Sequence, residues 1–217
     1  MKNYQIKLIN LVLTITLSFT IIMGSIILTT LSRFIYYLDI QYLNIPKFSG
    51  LTIAEIKENY NYTIQYIFNN SLDNFQPPTL SSSVDGSQHF LEVRNLFNLG
   101  STLLIIAVII SIFLLFILRR NRITEFKFVK YTSFIILSLP ILALIFINMD
   151  FTFIFTIFHK ILFNNDKWLL DPITDPIINI MPEEYFAHCA IAIILYSSIL
   201  LVFLNVIVKK YKEHLSE

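Results

Sequence analysis

The chain has 217 residues, of which 55% are hydrophobic and 14% charged, against about 45–50% and about 25% in soluble globular proteins. With a mean hydropathy of +0.67, this excludes an ordinary soluble domain and points to an all-α polytopic membrane protein. A net charge of +1 offers no basic face for nucleic acid, the single Cys189 leaves neither an intrachain disulfide nor a Cys-based metal cluster, and four glycines leave no phosphate-cradling loop.

A bilayer core of about 30 Å needs roughly 20 apolar helical residues. The first stretch free of Asp, Glu, Lys and Arg is Leu8–Ser32. Lys2 and Lys7 before it fit a signal peptide, but the apolar region far exceeds about 7–15 residues and no small-x-small site follows, so it reads as a retained span. Further spans are predicted over about 99–118, 131–149 and 186–208. The third contains Pro140, tolerated in a membrane helix when neighbours cover the freed carbonyl.

Basic residues set the orientation. Segments 1–7, 119–130 and 209–217 hold ten of the sixteen Lys and Arg and three acids, whereas the segments between spans 1 and 2 and between spans 3 and 4 hold six bases and twelve acids. Both termini are therefore expected in the cytoplasm, with segments 33–98 and 150–185 outside.

The first outer segment opens on Arg33-Phe-Ile-Tyr-Tyr-Leu, read as an aromatic belt at a helix end. Thr52-Ile-Ala-Glu55 has the form of a capping box. After it, Ile53, Ile56, Tyr60, Ile64 and Ile67 recur at helical spacing. A helix over about 52–68 is predicted, with packing on the protein favoured over the membrane surface. Residues 69–88 read as irregular loop. His89 follows, just before the second span, with Glu92 one helical turn on and able to orient its imidazole.

The second outer segment packs six acids, His159, the only tryptophan (Trp168) and three prolines into residues 150–184. Its apolar flanks, Phe151–Phe158 and Ile177–Met181, predict that it dips into the membrane interface. Ionisable residues there are functional candidates, His159 foremost. His188 and Cys189 are adjacent, but successive helical residues point in different directions, so a packed thiol is expected. His214 reads as a solvated tail residue. No Gly-x-Ser-x-Gly elbow, His-Glu-x-x-His helix, Walker sequence or internal repeat is present.

Two readings of these residues stay open. His89, His159 and an outer carboxylate form a permissible Zn²⁺ ligand set for lipid hydrolysis. Alternatively, the outer segments serve a non-enzymatic membrane chaperone or immunity-type protein that binds a partner.

Four spans, His89-Phe90 with Val93 and Phe97, and the run Phe158-His159, Phe163-Asn164, Trp168, Leu170-x-Pro172, Asp175-x-Ile177-Ile178 and Pro182-Glu183-x-Tyr185-Phe186 resemble one family, as does Asn59-Tyr60. It is the Lit family, the lipoprotein intramolecular transacylases of low-GC Gram-positive bacteria. One departure is Glu92, where the family often has Asp.

The resemblance implies an enzyme of the bacterial cell membrane acting on diacylglyceryl-modified lipoproteins, with membrane lipid around it and no cofactor or metal. The sn-2 acyl chain of the S-diacylglyceryl-cysteine would move to the cysteine's own α-amine, leaving a lyso-form lipoprotein. In that scheme His159 is the general base and acid, and His89 shares proton transfer or donates to the oxyanion. Asn164, Trp168, Asp175, Glu183 and Glu92 orient the histidines or the substrate.

Overall fold

The computed structural model describes residues 1–123, 126–146 and 150–216. Every regular element among them is helical: α1 (Asn3–Leu31), α2 (Arg33–Tyr42), α3 (Ile45–Ser49), α4 (Ile53–Phe68), α5 (Val84–Arg120), α6 (Lys127–Phe146), α7 (Phe151–Leu162) and α8 (Glu183–Ser216), with a 3-10 turn at Pro176–Asn179. The all-α expectation holds. Hydrocarbon offers no partner for backbone polar groups, so a spanning segment must satisfy them internally. Asn3–Leu31, Val84–Arg120 and Glu183–Glu213 are long and apolar enough to cross a membrane. α6 has twenty residues and contains Pro140. The last three residues of that expected span, 147–149, and the side chain of His214 lie outside the described residues.

The chain divides into two units. One comprises Met1–Leu28, Gly100–Leu144 and Ala192–Glu217. Leu13, Leu118, Phe126 and Phe128 form one buried cluster in it, and Ile21, Ile136 and Leu201 another. Small polar side chains bond within this apolar unit: Ser111 donates to Thr16 (2.8 Å), and Ser197 to Ser25 (3.0 Å). Asn10 accepts the backbone N–H of Phe128 (2.9 Å), one of the orphan amides at the start of α6. A Cβ at Gly100 would meet Met23 Cε at 2.5 Å, so the glycine permits close packing there. Ile105, Ile109, Ile112, Phe134 and Phe203 point outward, which carries no penalty where lipid is the solvent.

The other unit comprises Thr29–Leu99 and Ile145–Ile191. Its core joins Tyr36, Ile40, Ile56, Tyr60, Ile64, Tyr66, Phe75, Phe90, Ile177, Ile180 and Tyr185. α4 opens on the expected capping box: Glu55 N–H donates to Thr52 Oγ1 (3.3 Å) and Thr52 N–H to Glu55 Oε2 (2.8 Å). Ile56, Tyr60, Ile64 and Ile67 are buried, so α4 packs on the protein as its periodicity predicts.

Two expectations change. The stretch after Arg33 is not simply an aromatic belt. It is the separate helix α2, whose Tyr36 is buried, stacks on Tyr60 at 3.6 Å and donates to the Ile180 carbonyl at 2.7 Å, while Phe34 stays exposed. The loop expected over 69–88 ends at Ser83, because α5 begins at Val84. Ser83 Oγ accepts the Gly86 N–H (2.9 Å), an N-cap bond. Gly86 cannot return the bond as a Glu or Gln would in a capping box. Asp175 supplies the missing carboxylate from far along the chain, accepting the Ser83 N–H at 2.7 Å.

Candidate functional site

His89 and Glu92 lie on the part of α5 that precedes its apolar run. One turn separates them, so both sit on one stripe of the helix. His89 is buried, and its Nδ1 has no hydrogen-bond partner among the described residues. An uncompensated polar atom in a protein interior carries a desolvation penalty, and such exceptions call for an explanation. Burial, together with His159 nearby, pushes the His89 pKa down to about 4. The imidazole is therefore neutral near pH 7.

α7 brings His159 to the same place. Asp150 starts that helix by accepting the Thr152 N–H (3.1 Å), and His159 sits in its last turn, buried. Its Nδ1 lies 2.7 Å from the Phe155 carbonyl oxygen. A carbonyl only accepts, so Nδ1 carries the proton and, in the neutral ring, Nε2 keeps the lone pair. Burial lowers the His159 pKa, partly opposed by the Phe155 bond and the Glu183 carboxylate. The two histidine rings have their centroids 5.9 Å apart.

An aromatic wall surrounds them. Trp168 stacks on His159 at 4.8 Å with planes 24° apart, and Phe155 lies at 4.2 Å. Phe163 lies 5.8 Å from His159 and 4.9 Å from His89, edge-on to the latter. The indole is itself held, donating Nε1–H to the Asn165 carbonyl (2.9 Å). Asn165 Nδ2 donates to both Glu92 oxygens (3.1 and 3.2 Å), tying the loop after α7 to α5.

The sequence candidates thus fall into groups. His89, His159, Trp168 and Glu92 come together, but Glu92 takes the Asn165 amide and leaves His89 Nδ1 alone. Glu183, at the first position of α8, accepts from Thr152 Oγ1 (2.7 Å) and reaches His159 only through its charge. Asp175 is buried beneath the start of α5. Asn164 is exposed, and Asn165, which sequence reasoning missed, is the one that bonds. In the pair Asn164-Asn165 nothing local distinguishes the two.

His188 is a separate feature. Its Nδ1 pairs with the buried Asp39 (2.8 Å), while Cys189 packs against the tyrosine-rich core. The expectation of diverging neighbours is met. Among the described residues no group of three His, Cys, Asp or Glu side chains is arranged to hold a metal ion.

A family model described as "Lipoprotein intramolecular transacylase Lit" matches residues 11–186. The membrane-integral lipoprotein intramolecular transacylase Lit from Bacillus cereus, solved in meso, is 32% identical, with a TM-score of 0.88 over 98% of this chain and 100% of that one. Two variants of the Bacillus cereus protein, with one histidine replaced by arginine or by alanine, superpose with TM-scores of 0.83 and 0.81 at the same identity. The first covers 99% of this chain and 96% of that one, the second 97% and 96%. No curated protein sequence matches.

Proposed function

The chain belongs to the Lit family of membrane-integral lipoprotein intramolecular transacylases, and from that premise we propose which acyl group it moves and which of its residues move the protons. The substrate is a lipoprotein whose amino-terminal cysteine carries a thioether-linked diacylglyceryl group and a free α-amine. The enzyme transfers the sn-2 acyl chain from the glyceryl oxygen to that amine. One C–O ester bond breaks, one C–N amide bond forms, and the product is the lyso-form lipoprotein. Neither an external acyl donor nor a change in mass is involved.

The observation that carries this reading is the neutral, oriented imidazole of His159 beside a second buried histidine. Aminolysis needs the neutral amine, whose reference pKa is about 7.7–8.0. As the amine attacks the ester carbon, His159 Nε2 takes its proton. The tetrahedral intermediate then collapses, and the imidazolium returns that proton to the departing glyceryl alkoxide. Such acid–base help contributes about 10²–10⁴-fold. His89 holds an unsatisfied Nδ1, and we assign that atom to the oxyanion, where losing a donor costs about 2.7–4 kcal/mol. Trp168, Asn165, Glu92 and Glu183 are positioning residues in this scheme. Because amine and ester belong to one ligand, holding them in attack geometry is the remaining lever.

The same reading includes an orientation. Spans over about 8–32, 99–118, 131–149 and 186–208 leave both termini and 119–130 in the cytoplasm, and segments 33–98 and 150–185 outside. The excess of Lys and Arg in the cytoplasmic segments supports it. The site then faces the outer leaflet, where a mature lipoprotein presents its amino terminus.

The test is mass spectrometry of one lipoprotein's amino-terminal lipopeptide, made with this protein in a bacterium unable to N-acylate. An acyl group on the amine, with one lost from the glyceryl and no net mass change, is expected. An unchanged free-amine diacyl form, with the protein confirmed in the membrane, overturns the reading.

A further inference from the structure

The histidine site is closed to the substrate that the proposed reaction needs. His89 Nδ1 is both unpartnered and shut off from solvent, so a substrate oxygen reaches it only if something moves. His89 and His159 are each less than a tenth exposed, and so are Phe163 and Trp168. Phe163 packs edge-on to His89 with ring centroids 4.9 Å apart, and Trp168 covers His159 at 4.8 Å. Both covering rings belong to one short loop, residues 163–170, which follows α7. We infer that this loop is a lid, which opens to admit the lipidated cysteine and recloses over it before acyl transfer. The inference rests on the function proposed above and adds the step by which the substrate enters.

The loop is built to move as one piece. Asn165 organises it from within, its Oδ1 accepting the Lys167 N–H (2.9 Å) and its carbonyl the Trp168 indole N–H (2.9 Å). Leu169 N–H donates to the Asp166 carbonyl and Leu170 N–H to that of Trp168, both at 3.0 Å. The two ends are fixed: Phe163 N–H bonds the His159 carbonyl (2.8 Å), and Leu170 packs on the tyrosine-rich core. Between those ends, among the described residues, the loop's hydrogen bonds to the rest of the chain are the two from Asn165 Nδ2 to Glu92. That pair is the latch. A segment tied within itself and only lightly to its surroundings opens at low cost, as lids must. Rotation about the Phe163 N–Cα bond leaves its N–H bond in place, swings its ring off His89 and lifts Trp168 from His159.

Opening exposes two large aromatic rings, which favours the closed form in the empty protein. A diacylglyceryl group brings acyl chains that can pack on those rings, so a lipidated substrate offsets the cost as it enters. Reclosure then excludes water, which would compete with the amine for the ester.

The test measures ligand traffic in the full-length protein in detergent. Trp168 is the only tryptophan in the chain, so energy transfer from it reports a ligand at the site. The probe is a dialkylglyceryl-cysteine dipeptide, ether-linked so that it cannot react, with a dansyl group at its carboxyl end. Stopped-flow mixing gives the association rate, and a chase with unlabelled ligand gives the dissociation rate. A latch that holds the lid shut in both the free and the bound protein slows both rates equally. Asn165→Ala is therefore expected to raise both by about ten- to a hundredfold, the factor that a hydrogen bond to a charged group carries, with Kd unchanged. Glu92→Gln keeps an acceptor without its charge and is expected to raise both by about tenfold at most. Rates that stay at wild-type values in both variants, or a change confined to one of the two rates, overturn the lid. Turnover of the ester-linked dipeptide reads the chemistry separately. Gated binding without acyl transfer would remove the proposed reaction and leave the lid in place.

Discussion

The Trp168 indole lies flat against the His159 imidazole, with ring centroids 4.8 Å apart and planes 24° apart. That ring is already tethered through Nδ1 to the Phe155 carbonyl. Stacking fixes the plane of the imidazole and the hydrogen bond fixes its rotation. Together they leave Nε2 as the one nitrogen free to work. A general base is most useful when its lone pair is aimed before substrate arrives.

Replacing His159 by Ala is expected to lower acyl transfer by about 10²–10⁴-fold, with membrane levels of the protein unchanged. Lipopeptide mass spectrometry reads the product, and immunoblotting of membranes reads the level. A variant that still transfers at the wild-type rate removes His159 from the mechanism.

The pH profile follows from the signs of the shifts. Both histidines have lowered pKa values, His89 to about 4, so neither takes up a proton until the pH falls below the usual histidine range. The group that titrates near neutrality is the substrate amine, at about 7.7–8.0. The logarithm of kcat/KM is expected to rise with a slope of about one up to that range and then level off. A profile limited at about 6.5 and flat above 7 would contradict the assignment.

Asn165 and Asn164 make a paired test. Asn165→Ala leaves the Glu92 carboxylate without its donor and loosens the loop carrying Trp168. Hydrogen bonds to charged groups are worth about 1.5–3 kcal/mol, so kcat is expected to fall by about ten- to a hundredfold. Asn164→Ala, at an exposed position, is expected to change it less than twofold. Equal effects of the two substitutions would mean that the bridge to Glu92 does not position the site.

Gly86→Ala sets two magnitudes against each other. Alanine is favoured over glycine inside a helix by about 0.8–1.0 kcal/mol. Here, however, a Cβ would collide with the Asp175 carboxylate, and overpacking costs about 1–3 kcal/mol. A net loss of about 1 kcal/mol is expected, visible as a lower Tm in detergent. In the Asp175→Ala background the same substitution is expected to lose its penalty, because the colliding group is gone. A penalty of equal size in both backgrounds would show that the carboxylate is not its source.

The sequence by itself determined the apolar helices, the membrane setting and the capped amphipathic helix α4, and it offered both histidines as candidates. These depend on run length, on periodicity along one helix and on side-chain chemistry, all of which are local. The partners were decided by tertiary structure. Nothing in the run Asn164-Asn165 says which amide turns toward Glu92, 73 residues away. Nor does the Arg33-Phe-Ile-Tyr stretch say that Tyr36 will leave the aromatic belt to stack on Tyr60 and bond Ile180, 144 residues away. Asp175 reads in the sequence as a residue that orients the histidines or the substrate, and only the fold brings its carboxylate to the Ser83 N–H at the start of α5, where the glycine at the third helical position has no side chain to accept it. Hydrogen bonds act over about 3 Å, so which groups meet is set by how the loops close.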